Sequence, residues 1–148
     1  VPPSQFFRAG VGAVIANEHG DVLACERRDI AGAWQFPQGG LKAGEAPLEA
    51  VRREIREETG IRRAHLRLMQ ECQDLLVYEL PRSAWSKKTG RGQVQRWFMF
   101  EYTGRLAIVP PADSEFVTCA WRPFDEVERH VADFRRPVYK RLRDCFNL

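Results

Sequence analysis

A chain of 148 residues, 44% hydrophobic and 29% charged, suits one soluble globular domain over residues 1–148 with a real core. It carries no apolar run near the length of a membrane span, and a net charge of +3 favours an anionic ligand without arguing for nucleic acid on its own. The start, Val1-Pro2-Pro3-Ser4, lacks the basic and apolar succession of a signal peptide. Cys25, Cys72, Cys119 and Cys145 are scattered with no CxxC pair, so the expectation is reduced thiols in a cytoplasmic protein that does not touch membrane.

Residues 6–16 (FFRAGVGAVIA) form a β-rich run, and Asn17-Glu18-His19-Gly20 is a turn signal with residues 21–26 as the hairpin partner. Arg27, Arg28 and Asp29 enter a loop, and residues 34–37 (WQFP) form a short strand that Pro37 stops before two glycines. Residues 47–59 read as a helix. Leu48, Val51 and Ile55 make its apolar stripe, Pro47 suits the first turn and Gly60 the C-terminal end, while Ala46 is a poor N-cap. Strands follow at 65–72 and 74–80, then a polar, basic loop at 81–92. Residues 93–102 (QVQRWFMFEY) are the strongest strand pattern after the first. After a connection at 103–114 come a last strand at 115–122, a short helix at 124–131 and a final helix at 136–146. Strands before, between and after two long helices predict an α/β fold, a mixed sheet sandwiched by helices.

The chemistry concentrates in residues 39–61, GGLKAGEAPLEAVRREIREETGI. Glu54, Glu57 and Glu58 stand at i, i+3 and i+4, on one helix face beside the apolar stripe. Carboxylates so placed repel unless a cation sits among them, and a hard divalent ion such as Mg²⁺ takes oxygen ligands. The competing possibility is a solvated, mixed-charge surface helix, which does not need the glycine framing.

At this stretch the sequence resembles the Nudix hydrolases. The spacing G-x5-E-x7-R-E-U-x-E-E-x-G-U, with U aliphatic, is met at Gly39, Glu45, Arg53, Glu54, Ile55, Glu57, Glu58, Gly60 and Ile61 with no departure. The resemblance implies an α/β/α sandwich with a mixed sheet, a Mg²⁺ or Mn²⁺ site, and hydrolysis of a pyrophosphate linked to a nucleoside or similar group. It implies the Gly39 carbonyl as a ligand beside Glu54, Glu57 and Glu58. It gives Glu45 and Arg53 the role of tying loop to helix, with Arg53 entering the catalytic set by orienting a glutamate. Glu115 is implied to approach the metals from a loop, as general base or further ligand; Glu57 is the competing base, and a plain surface carboxylate is the alternative for Glu115.

Four further segments look like the bacterial RNA 5′-pyrophosphohydrolases and the related asymmetrically cleaving dinucleoside tetraphosphate hydrolases. They are RAGVGAV from Arg8, WQFPQGG from Trp34, YELP from Tyr78 with GQVQRWF from Gly92, and SEF from Ser114 leading to Trp121-Arg122 and then FRRPVY from Phe134. The expected substrate is therefore a nucleoside polyphosphate or a 5′-triphosphate RNA. Arg8, Arg27 and Arg28 are candidate phosphate contacts, with Lys87, Lys88, Arg91 and Arg96 behind them, although for each basic residue taken alone solvated surface is the better reading. Phe134 could stack a base, with Arg8 as an opposite wall, or belong to the core. Gln35 and Gln38 flank the site as hydrogen-bonding groups; Trp34 and Phe36 alternate with them toward the core, and Tyr78 and Trp97 are expected only to pack. Competing functions are a housecleaning nucleoside triphosphate or ADP-ribose hydrolase and a non-catalytic nucleotide or RNA sensor. Loss of a motif glutamate would mark the sensor, and none is lost.

Overall fold

The computed structural model describes residues 6–148. Strand β1 (Phe7–Ala16) is its axis. Side chains alternate across a strand, so Val11, Ala13 and Ile15 enter one core layer and Val14 the other. β7 (Gly92–Tyr102) runs parallel to β1 from Phe7↔Gly92 to Ala16↔Glu101, and splits the same way: Phe98 and Phe100 to the first layer, Trp97 to the second. β5 (Leu66–Glu71) and β6 (Leu76–Glu79) pair antiparallel with β7, completing a mixed sheet on that side.

Two local expectations change. The strand expected to stop at Pro37 resumes after it: residues 38–40 form β4 (Gln38–Gly40), which takes β1's other edge with Gly10↔Gly40, Val11↔Gly39 and Gly12↔Gln38. β2 (Val22–Arg27) does return from the turn at 17–20, but it meets β1 only at Ala16↔Val22, because β4 and β7 already hold β1's edges. Its ladder runs instead with β8 (Phe116–Arg122), and β3 (Trp34–Gln35) lies on its other side.

Helix α1 (Pro47–Thr59) covers the first layer with Ala50, Val51 and Ile55. Ala46 caps nothing with its side chain, and Pro47 leaves one fewer amide to satisfy. Gly60 sits at φ 80°, a left-handed corner, and its N–H closes on the Arg56 carbonyl at 2.9 Å. That corner stops the helix one residue after the last turn carrying Glu57 and Glu58. Helices α2 (Phe124–His130) and α3 (Arg136–Phe146) cover the second layer. The result is the α/β/α sandwich. No helix among the described residues is long and apolar enough to cross a membrane.

The second layer ties α3 to the site-bearing segment. Tyr139 stacks on Phe36 at 4.7 Å, and the Phe36 N–H donates to its hydroxyl at 2.7 Å. Tyr139→Phe should leave that buried N–H without an acceptor, costing about 1–3 kcal/mol. Urea unfolding measures it; an unchanged midpoint would mean the N–H finds another acceptor.

The expectation of four reduced thiols is corrected. Cys72 and Cys145 form a disulfide between the end of β5 and α3, with Cα atoms 5.5 Å apart. They stand 73 residues apart in sequence, so only the folding of α3 against the sheet brings them together. Cys25 and Cys119 are free, cross-strand neighbours on β2 and β8 with sulfurs 3.0 Å apart. The cytoplasmic expectation thus loses the support that unpaired cysteines lent it.

Candidate metal centre and substrate cleft

The helical period sets Glu54, Glu57 and Glu58 on one face of α1, and each offers an oxygen within 4.8 Å of the others. One guanidinium holds the arrangement. Arg53 donates to both oxygens of Glu45 (2.7 and 2.9 Å), to Glu54 (2.8 Å), to Glu57 (3.3 Å) and to the Gly40 carbonyl (2.9 Å). It therefore joins β4, the loop at 41–46 and the helix. The Arg53 hydrogen bonds pull the Glu45 pKa down to about 2, and Glu45 in return raises that of Arg53.

The other carboxylates move the opposite way. Burial raises the pKa of Glu54 against the counter-pull of Arg53, with Glu57 and Glu58 adding repulsion. Burial also raises that of Glu58, and Glu115 adds to it. Carboxylates kept charged at such cost, made only of hard oxygen donors, fit a divalent ion of the Mg²⁺ or Mn²⁺ class. Gly39 fits the same picture: its backbone lies so close to the Glu54 carboxylate that a Cβ there would collide with it.

Glu58 is anchored from a second side. The Ser114 hydroxyl lies 2.8 Å from its carbonyl oxygen and 3.2 Å from its carboxylate, and the Glu115 N–H donates to that carboxylate at 3.0 Å. This latch brings Glu115 to the wall of the cleft, next to the three glutamates but outside their 4.8 Å cluster. Arg28, expected at the polyphosphate, is placed differently. Its N–H donates to the Glu115 carbonyl at 2.7 Å, and its side chain donates to the carbonyls of Ser114 and Phe116, both at 3.1 Å. It does not line the cleft. The register of β2 against β8 aims it at the latch, where it braces the loop that carries Glu115.

The cleft has a volume of about 590 Å³ and runs from Gly39 and Glu54 past Arg8, Arg27, Gln35 and Gln38 to Phe134. Arg27 is held by both oxygens of Asp29 (2.8 and 2.9 Å) and reaches Gln35 at 3.5 Å. Gln38 accepts from Gln95 at 3.1 Å and donates to the Tyr78 hydroxyl at 3.4 Å. Gln95 is in turn fixed by Gln93 and by the Trp97 indole N–H, both at 3.0 Å. Phe134 is half-buried at the cleft wall, tilted against Tyr78 with ring centroids 5.7 Å apart, so it both packs and faces the cleft. The Arg135 guanidinium covers both rings, at 4.7 and 4.8 Å, and is buried with Nη1 lacking any hydrogen-bond partner.

Gln93 and Arg135 line the cleft although the sequence did not single them out, Tyr78, expected only to pack, lines it too, and Gln95 is buried behind it as a support for Gln38. The two glutamines could have been found: they alternate with Trp97 on the inward face of the strongest late strand, where a polar side chain needs a partner. Of the outlying basic candidates, Arg91 pairs with Glu79 at 2.9 Å and Arg96 with Glu71 at 3.3 Å.

Opposite pKa shifts give opposite pH dependences. Glu45 contributes stability above its unfolded value of about 4.3, lost as pH falls through its depressed folded pKa. Glu54 and Glu58, shifted up, cost stability at neutral pH, and that cost is relieved as pH falls through their raised pKa values. The metal-free protein should therefore lose stability as pH rises from the ordinary carboxylate range through the raised values of Glu54 and Glu58, and Mg²⁺ should raise the midpoint more at the upper end of that range than at the lower. A Mg²⁺ shift of equal size at both would count against ionisation of these groups as the cause.

The NUDIX domain profile matches residues 6–142. The RNA pyrophosphohydrolase of Rhodospirillum rubrum is 38% identical, aligned over 92% of this chain and 84% of its own length. The chloroplastic Nudix hydrolase 26 of Arabidopsis thaliana is 33% identical over 97% of this chain and 71% of its own. Among solved structures, the E. coli dihydroneopterin triphosphate pyrophosphohydrolase superposes with a TM-score of 0.77 at 21% identity, covering 96% of this chain and 99% of that one, a likeness of fold.

Proposed function

The chain belongs to the Nudix family, as a hydrolase acting on phosphoanhydrides, and we propose that it removes pyrophosphate from 5′-triphosphorylated RNA, with asymmetric cleavage of dinucleoside polyphosphates as the second reaction its cleft would admit. The observation that carries this is the convergence of Glu54, Glu57 and Glu58 at the head of a cleft whose walls carry arginines and an aromatic ring.

A phosphoanhydride is shielded by its own negative charge, so the site must neutralise it, deprotonate a water and stabilise the leaving phosphate. Mg²⁺, or Mn²⁺ in its place, bound by Glu54, Glu57, Glu58 and the Gly39 carbonyl with Glu115 nearby, would supply Lewis-acid stabilisation of the phosphoryl oxygens and a more acidic water. The protein's part is placement. Arg53 fixes Glu54 and Glu57 from behind, and the Ser114–Glu115 latch fixes Glu58. Glu57, half-exposed, and Glu115, on the cleft wall, are the two groups offered to accept the proton of the attacking water. Arg8 and Arg27 face the phosphates farther from the helix, and Phe134 offers a nucleobase a stacking surface beside Gln38.

The test is a comparison of kcat/KM, with Mg²⁺, on 5′-triphosphate RNA, diadenosine tetraphosphate, ADP-ribose and free nucleoside triphosphates. RNA or the dinucleotide should lead. A clear preference for ADP-ribose or free triphosphates would overturn the proposal.

A further inference from the structure

The loop between β6 and β7, at residues 80–91, forms one lip of the cleft: Leu80, Pro81, Ala84, Lys88 and Thr89 all line it. It is closed like a clasp. Ser86 and Gly90 exchange backbone hydrogen bonds at 3.3 and 2.8 Å, the Ser86 and Thr89 hydroxyls lie 2.8 Å apart, and the Trp85 indole N–H donates to the Leu80 carbonyl at 2.9 Å. The Arg91 guanidinium is inserted between the rings of Phe7 (5.2 Å) and Trp85 (4.6 Å), with Glu79 at 2.9 Å neutralising it. What this brace presents outward is basic. Arg82, Lys87 and Lys88 are exposed, and no ion pair among the described residues involves any of them. Phe7 adds an aromatic ring that is 37% exposed.

Arg82 lies over the Trp85 ring at 5.6 Å, but among the described residues none of the three cations has a carboxylate partner, so holding them on one lip costs the fold their mutual repulsion. Their arrangement suits a polyanion that leaves the cleft over this edge. We infer that residues 82–88, with Phe7, form a docking ridge for the nucleotides of a single-stranded RNA that follow the reacting 5′ end, phosphates on Arg82, Lys87 and Lys88 and a base against Phe7. The inference rests on the RNA reading above and extends it: a dinucleoside polyphosphate ends inside the cleft and has nothing to lay on the ridge.

The experiment measures KM and kcat on three substrates: a 5′-triphosphate dinucleotide, a 5′-triphosphate RNA of about twelve nucleotides, which exceeds the smallest single-strand site sizes, and diadenosine tetraphosphate. The double variant Arg82→Glu/Lys87→Glu alters two residues that do not line the cleft. For the wild type, KM should be lower for the longer RNA and should climb more steeply with salt. In the variant, KM for the longer RNA should rise roughly tenfold with kcat unchanged, and its log–log salt slope should flatten by about 1.4, the value for two lost single-strand phosphate contacts. KM for the dinucleotide and the tetraphosphate should stay put. Equal KM for the two RNA lengths, or a variant that weakens all three substrates alike, overturns the ridge while leaving RNA as substrate. Cleavage of the tetraphosphate with no turnover of either RNA overturns the RNA reading and the ridge with it.

Discussion

Glu58→Gln and Glu57→Gln are each expected to lower kcat by about 10²-fold or more, the scale of a positioned acid–base or ligating group, while the fold survives. The stability side separates the two. Glu58 is buried, its ionised form is disfavoured by burial and by Glu115, and glutamine removes that charge. A glutamine oxygen can still accept from Ser114 and from the Glu115 N–H, so the latch has no reason to open. The metal-free Glu58→Gln protein should therefore melt no lower than wild type, and its stabilisation by Mg²⁺ should shrink. Glu57 has a half-exposed side chain and one long contact to Arg53, so its replacement should change the metal-free midpoint little. Turnover at limiting Mg²⁺ and thermal melts with and without the ion make the test. Near-normal turnover in both variants would refute the assignment. So would a large loss of metal-free stability in Glu58→Gln, which would mean that its charge is needed by the fold rather than by an ion.

The metal face could be read from the sequence because it is local. Glu54, Glu57 and Glu58 lie within five residues of one helix, and helical geometry alone places them together. The glycine at each end is equally local: one ends the helix, the other admits a carboxylate against the backbone. What the sequence hid depends on partners far away along the chain. Arg28 was a fair phosphate candidate until the pairing of β2 with β8 turned it onto the Ser114–Phe116 backbone. Tyr78 gave no sign of facing a cleft, because its hydroxyl meets Gln38 only once β6 and β4 have taken places on opposite sides of the β1–β7 pair. The disulfide was invisible for the same reason. Of the distant pieces, Glu115, Arg8 and Phe134 were named beforehand and line the cleft, Glu115 by resemblance rather than by physics. The latch explains its position: Ser114, buried, spends its hydroxyl on Glu58, and the next residue has no choice but to stand beside the carboxylates.

Gly39→Ala should cut kcat by about 10²-fold with the fold intact, through displacement of a ligand by roughly an ångström. The backbone permits the change, since Gly39 is not among the residues in the left-handed region. The obstacle is the new methyl, which would fall inside the Glu54 carboxylate. A carboxylate at the end of a free side chain would swing aside at little cost, but this one is tethered at 2.8 Å to Arg53, which also holds Glu45 and the Gly40 carbonyl. Glu54 must therefore either break that tether or drag the guanidinium with it, and either way the three carboxylates no longer converge. Gly40→Ala is the control one residue on. There a Cβ would meet the guanidinium of Arg8, an exposed side chain with room to move, so KM should rise modestly and kcat should hold. The Mg²⁺ concentration for half-maximal activity should rise in Gly39→Ala and stay unchanged in Gly40→Ala, with both variants melting near wild type. If the two variants behave alike, close approach of the Gly39 backbone to Glu54 is not what sets the geometry of the site, and the carboxylates must be held together by Arg53 alone.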